Sequence, residues 1–169
     1  AYRKSHILAR DMFLFGCYTG VCYADVVSIT HENLYTDEGG ALWLKYRRKK
    51  IELRASVKLL PEAIALIEKY HSEDRDTLFP LLYWSNLRRH MKALAALAGI
   101  KDDLCYHQAR HSFASLITLE AGVPIETISR MLGHSDISTT QVYARVSPKK
   151  LFEDMDKFIE ATKDFQLVL

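Results

Sequence analysis

The chain is 169 residues long, 49% hydrophobic and 26% charged, with seven glycines and four prolines. That length fits one domain able to bury about 70% of its unfolded surface, and the composition excludes disordered, collagen-like and low-complexity classes. The net charge of +2 conceals a division: Lys45 to Lys58 carry seven basic side chains against Glu52 alone, giving that stretch +6 and leaving −4 for the remainder. A dense basic stretch on a mildly acidic body points to one local polyanion contact, although a charge run by itself equally describes a solvated face. No apolar run approaches the roughly 18 residues a membrane span needs, and Ala1-Tyr2-Arg3-Lys4 opens no signal peptide, so neither a span nor secretion is expected. Cys17, Cys22 and Cys105 are odd in number and form no CxxC pair, which suits a reducing cytosol better than a disulfide scaffold. The chain starts without Met inside a helical pattern, so one domain of a longer protein is expected.

In chain order, Ile7, Leu8, Met12, Phe13 and Phe15 mark a helix that breaks at Thr19-Gly20, and a short helix over Tyr23 to Val27 follows. From Asn33 the texture turns to strand. Asp37-Glu38-Gly39-Gly40 signals a turn, Ala41 to Tyr46 reads as strand, and a second strand is expected near Glu52 to Val57, placing the basic cluster on a small antiparallel sheet. Pro61 suits the first turn of a helix over Glu62 to Tyr70. Ser85 or Asn86 can cap a helix ending near Gly99, and another runs from Tyr106 or His107 to Glu120, stopped by Gly122. Pro124 opens the next helix, Gly133 closes it, and Ser138-Thr139-Thr140 offer caps for a helix through Tyr143. Leu151, Phe152, Met155, Phe158 and Ile159 then fall at helical spacing, an apolar face in need of a covering surface. The fold class read from this pattern is α+β, mainly helical, with a small three-stranded antiparallel sheet on one edge.

His107 and Arg110 stand three apart, so on a helix they share a face and set a guanidinium fork beside a titratable imidazole. That pair suits a phosphate and a proton transfer; it equally describes a capping histidine and a surface arginine. His134 follows the helix-ending Gly133, and Tyr143 stands nine positions further on. A phenol, with an ordinary pKa near 10, is a poor nucleophile until cations stabilise its oxyanion and a base takes its proton. Cys105 and His107 lack a second ligand pair at finger-like spacing, so no metal site is expected.

Tyr106 to Val146, with His107-Gln108-Ala109-Arg110, then Leu132-Gly133-His134, then Tyr143 nine residues later, resembles the signature half of the tyrosine recombinase (phage integrase) family. Upstream, the segment from Phe15 to Val26 is similar to the one carrying that family's first arginine. Arg47 to Ala63 is similar to its lysine-bearing hairpin and the helix beyond. Within the family the texture is most similar to integrases of mobile elements from the Bacteroides group.

The resemblance implies a site-specific DNA recombinase in which Tyr143 attacks a phosphodiester, forming a 3′-phosphotyrosine and freeing a 5′-hydroxyl, without metal, ATP or other cofactor. Arg110 and His134 would hold the scissile phosphate, His107 would handle protons, and Lys50, with Lys49 as its alternative, would protonate the leaving oxygen. One position departs from the pattern: Cys22 stands where the family has its first arginine, with the following acid kept as Asp25. Arg48, two residues from Lys50, is the candidate substitute. Arg47, Lys49, Arg54 and His111 are the further candidate DNA contacts.

The resemblance further implies residues 1–148 as the catalytic domain and 149–169 as a helical tail packing on its own domain or on a neighbour. A core-binding domain would normally precede the catalytic domain and is absent from this chain. Double-stranded DNA, self-association as a tetramer and accessory DNA-bending proteins are the implied partners, in the bacterial cytoplasm at the nucleoid. The alternatives are a non-catalytic helix-turn-helix-like module, suggested by the texture of Val123 to Tyr143, and a tyrosine-type topoisomerase.

Overall fold

The computed structural model of the chain describes residues 2–49, 53–143 and 146–163. Lys50, the expected lysine, and Glu52, the expected start of the second strand, lie outside the described residues.

Helix α1 (Tyr2–Thr19) forms the centre. Leu8, Met12 and Phe15 recur at spacings of four and three and are buried with Ala9, giving a stripe that packs against the helices introduced below as α3, α4 and α5. Phe15 meets Phe79 edge to face at 5.0 Å, and burying such a ring contributes about 2–3 kcal/mol. Asp11, fully buried on the same helix, is matched by Lys69 and by the Tyr70 hydroxyl at 2.8 Å. The helix stops at Gly20 (φ +70°), where a Cβ would lie 2.6 Å from both Leu132 and Phe113. Glycine is required there twice over, by backbone handedness and by space.

Helix α2 (Tyr23–Val26) and a 3₁₀ turn (His31–Asn33) lead to the sheet, β1 (Leu34–Thr36), β2 (Leu42–Arg47) and β3 (Arg54–Lys58), antiparallel in the order β1-β2-β3. The Asp37 carboxylate organises the predicted turn by accepting from the backbone N–H groups of Gly39 and Ala41 and from Trp43 Nε1. Leu44 pairs with Val57 and Tyr46 with Ala55, all buried on the inner face. The intervening Lys45, Arg47, Arg54 and Lys58 are exposed on the outer face, as the two-residue period requires.

Helix α3 (Pro61–Lys69) begins at its proline as predicted. Helix α4 (Trp84–Leu97) starts ahead of both Ser85 and Asn86; its N-cap is Tyr83, with no side-chain cap bond, so that expectation is corrected. The helix predicted from residue 107 to 120 changes character midway, running as α5 (His107–Ser112) and then widening into a π-helical segment, Phe113–Leu119. The Thr118 hydroxyl lies 2.9 Å from the carbonyls of both Phe113 and Ala114, and i→i+5 backbone bonds such as Glu120 to Ser115 replace the α pattern. Helix α6 (Ile125–Met131) follows Pro124, and Gly133 (φ +61°) ends the turn after it. Helix α7 (Ser138–Gln141) is a single turn whose N-cap is Ile137 with no side-chain cap bond, so the Ser-Thr-Thr run lies inside the helix rather than capping it, and the Asp136 carboxylate accepts from Ser138 N at 2.9 Å. Helix α8 (Pro148–Thr162) is capped by the Ser147 hydroxyl. The architecture is the expected one, mainly helical with a small three-stranded antiparallel sheet at one edge.

Candidate active site

Arg110 is the largest side chain that the fold buries completely, at 1% exposure. Its guanidinium donates to the Gly20 carbonyl and the Leu132 carbonyl, each at 2.6 Å, and meets His134 Nε2 at 2.8 Å. The two carbonyls belong to chain breaks made by glycines, after α1 and after α6, which free them from helical bonding and aim them at one point. Burial, then the neighbouring Arg48 cation, pushes the Arg110 pKa down from the arginine range.

Arg48 arrives from the sheet. It lies one residue beyond β2 and keeps the inward parity of Leu44 and Tyr46. Its Nη1 donates to the Gly133 carbonyl at 3.2 Å, and its methylenes lie where a Cβ on Gly133 would sit, 2.9 Å from Arg48 Cδ. Its Nε stands 3.7 Å from Asp25 Oδ2, an ion pair rather than a hydrogen bond.

Asp25, 2% exposed, is the organiser that sequence reasoning left outside the site. One carboxylate oxygen accepts from the Lys49 backbone N–H at 2.9 Å and the other from the Cys22 thiol at 2.9 Å. The cysteine at the departed position and the arginine from the hairpin are thus held to one carboxylate. Burial and that carboxylate push the Cys22 pKa up, keeping the thiol neutral.

Cys22, Arg48, His107, Arg110, His134 and Tyr143 line one cavity of about 460 Å³. Tyr143 is 7% exposed, its ring stacked with His134 at 6.2 Å and meeting the His111 edge at 4.4 Å. The π segment positions it, since the Ser115 hydroxyl donates to the Tyr143 carbonyl at 3.1 Å. Burial first, then Arg110, Arg48 and His107, brings the His134 pKa down to about 4, and burial with the nearby His111, Arg110 and Arg48 lowers that of His107. Two guanidinium groups, neutral imidazoles and a phenol line one cavity, an arrangement chemically suited to hold an anion beside the phenol. Among the described residues, no group of three or more His, Cys, Asp or Glu side chains is placed to hold a metal ion.

Of the predicted residues, Arg48, His107, Arg110, His134 and Tyr143 therefore come together, with His111 beside the tyrosine rather than apart from it. Arg47 and Arg54 face each other across β2 and β3 on the outer face, and Lys49 is exposed at the hairpin end. Lys50 lies outside the described residues. The helix-turn-helix reading of Val123 to Tyr143 fails, because α7 is one turn long and buries Thr140 against His134 instead of presenting a recognition helix. Ser115 and Thr140 had no motif to announce them; Asp25 was noted as the retained acid of the pattern but given no role in the site.

The chain is 31% identical over 156 residues to tyrosine recombinase XerD of Lacticaseibacillus casei, covering 84% of this chain and 52% of that protein. It is 30% identical over 152 residues to tyrosine recombinase XerC of Rhizobium meliloti (strain 1021), covering 85% and 46%. The chain thus spans about half the length of the curated relatives it matches. Among solved structures, the catalytic domain of bacteriophage HP1 integrase superposes with a TM-score of 0.63 at 21% identity over 98% of both chains. The crystal structure of XerA recombinase gives 0.67 at 22% identity, covering 89% of this chain and 62% of that one. These likenesses establish the fold as that of an integrase catalytic domain. Residues 1–150 match the phage integrase family, and the chain belongs to that family.

Proposed function

We propose that the chain is the catalytic domain of a site-specific DNA recombinase that breaks and rejoins duplex DNA through a phosphotyrosine. The observation that carries this reading is the burial of Tyr143 in one cavity with Arg110, Arg48 and His134. Tyr143 Oη attacks the scissile phosphorus, its proton passing to His107, and the P–O5′ bond breaks. Lys50, or Lys49, protonates the departing 5′-oxygen, so that a 3′-phosphotyrosine and a free 5′-hydroxyl result. Religation by an incoming 5′-hydroxyl runs the same steps backwards and needs no ATP. Arg110, Arg48 and His134 spread positive charge and donors over the pentacoordinate phosphorus, where loss of one such donor costs about 10² to 10³ in rate. Arg48 takes the place of the guanidinium that Cys22 lacks, held there by Asp25 and the Gly133 carbonyl.

The outer sheet face, with Arg47, Arg54 and Lys45, is the proposed phosphate-backbone contact. The exposed apolar side of α8 is proposed to pack on a neighbouring protomer in a tetramer spanning two duplexes, with accessory bending proteins assisting at the bacterial nucleoid. A nicked suicide duplex tests the chemistry. The wild-type chain is expected to form a denaturant-resistant DNA adduct and Tyr143→Phe none, while an adduct persisting in the Phe variant removes Tyr143 from its role. In the same assay Arg48→Ala is expected to fall about as far as Arg110→Ala; full cleavage by Arg48→Ala would end the substitution idea.

A further inference from the structure

His134 presents both ring nitrogens to fixed partners, Nε2 to the Arg110 guanidinium at 2.8 Å and Nδ1 to the Thr140 hydroxyl at 2.7 Å. A guanidinium has five donors and no acceptor, so Nε2 must bring its lone pair to Arg110. The single proton of the neutral ring is therefore on Nδ1, and the Thr140 oxygen is its acceptor. Thr140 is 1% exposed, leaving water little room to take over that bond. Its backbone carbonyl meanwhile accepts from the Tyr143 N–H at 2.9 Å, so one residue touches both the histidine and the turn that carries the tyrosine.

We infer that Thr140 is a positioning residue for the proposed strand-cleavage reaction: its hydroxyl accepts from the Nδ1–H that Arg110 imposes on His134 and so fixes the ring with Nε2 toward the phosphate site. The inference rests on the recombinase reading for its purpose, not for its geometry. When a phosphate oxygen enters between Arg110 and His134, Nε2 is already aimed at it and takes a proton from solvent without the ring turning. The imidazolium then donates through Nε2 to the phosphate and through Nδ1 to Thr140, which serves as acceptor in both states. The charged and titratable groups facing His134 are Arg110 and His107 from α5, Arg48 from the hairpin, and Tyr143. All three cations and potential cations oppose its protonation until an anion is bound. A threonine oxygen is the acceptor that keeps the Nδ1–H satisfied throughout; valine has the same shape and no acceptor.

Ring ¹⁵N chemical shifts of His134 in the free chain test this directly. The expected result is a protonated Nδ1 and an unprotonated Nε2 in wild type and in Thr140→Ser, with an Nδ1–H signal that moves upfield and exchanges faster in Thr140→Val because its acceptor is gone. Adduct formation on the nicked duplex is expected to fall roughly tenfold in Thr140→Val, the loss of one hydrogen bond, and to return in Thr140→Ser. A wild-type His134 carrying its proton on Nε2 would overturn the proposal, and so would a Val variant with the wild-type Nδ1–H signal and wild-type adduct rate. A wild-type Nδ1–H that exchanges as fast as that of a free imidazole overturns it even where the Val variant fails to fold. If wild type forms no adduct, the recombinase reading falls while the ring measurement still judges Thr140.

Discussion

Three histidines of the cavity share a cause and therefore a pH dependence. His134, His107 and His111 are each pushed below the ordinary imidazole value near 6.5, His134 to about 4, with burial as the largest contribution to each. The neutral form is favoured in the fold, so the unfolded chain binds protons first as acid is added. Stability from these groups is complete above about pH 6.5 and is lost as pH falls from there toward 4. The urea midpoint is expected to drop across that window, and to drop less in His134→Gln; an identical slope in the variant would contradict the assignment. Much of this site was legible in the sequence, because His107, Arg110, His134 and Tyr143 keep a fixed order and spacing. Thr140 was not. Its partner depends on which way a four-residue helix faces, and a local reading assigned its hydroxyl to capping. The Arg48–Asp25 link was only half legible, since side chains 23 positions apart meet through the folding of the hairpin over α2.

The glycines that end α1 and α6 are elements of the site as well as of the fold. Gly133 has φ +61°, and a Cβ there would press on Arg48 Cδ at 2.9 Å and Ala55 Cβ at 3.2 Å. Gly133→Ala is expected to destabilise the chain by about 1–2 kcal/mol, from left-handed strain and displacement of Arg48, measurable by denaturant titration. A cleavage loss exceeding the stability loss would show that Arg48 has moved. Both breaks were readable, because glycine after a helical stripe has one common use. The π widening of Phe113–Leu119 was not, because its apolar spacing passes for an α-helix and the change comes from Thr118 taking two carbonyls. Its effect is to bring Ser115 to Tyr143.

At the scale of the molecule, α8 is the unfinished part. Phe152, Phe158 and Ile159 are 60–69% exposed, while on its inner side Lys150 is buried beside Gly122 and pairs with Asp154 of the same helix. A face that apolar costs about 25 cal/mol per Å² to leave in water, so covering it should drive association. Phe152→Asp with Phe158→Asp is expected to shift sedimentation on DNA toward monomers without changing the Tm of the free chain. A large fall in Tm would mean that the helix packs on its own domain. The apolar spacing showed that such a face exists; a single chain carries no record of what covers it.

Arg110 spends three of its five donors on Gly20, Leu132 and His134, which leaves no more than two for an anion. The rest of the attraction has to come from Arg48, and the two cations, after burial, lower the proton affinity of His134 and His107. The site is thus built under electrostatic tension, and the phosphate of the proposed substrate would be the missing counter-charge of the fold. Binding would relieve that tension where α1, α6 and the hairpin meet, so duplex DNA is expected to act on this domain as a folding ligand and raise its Tm.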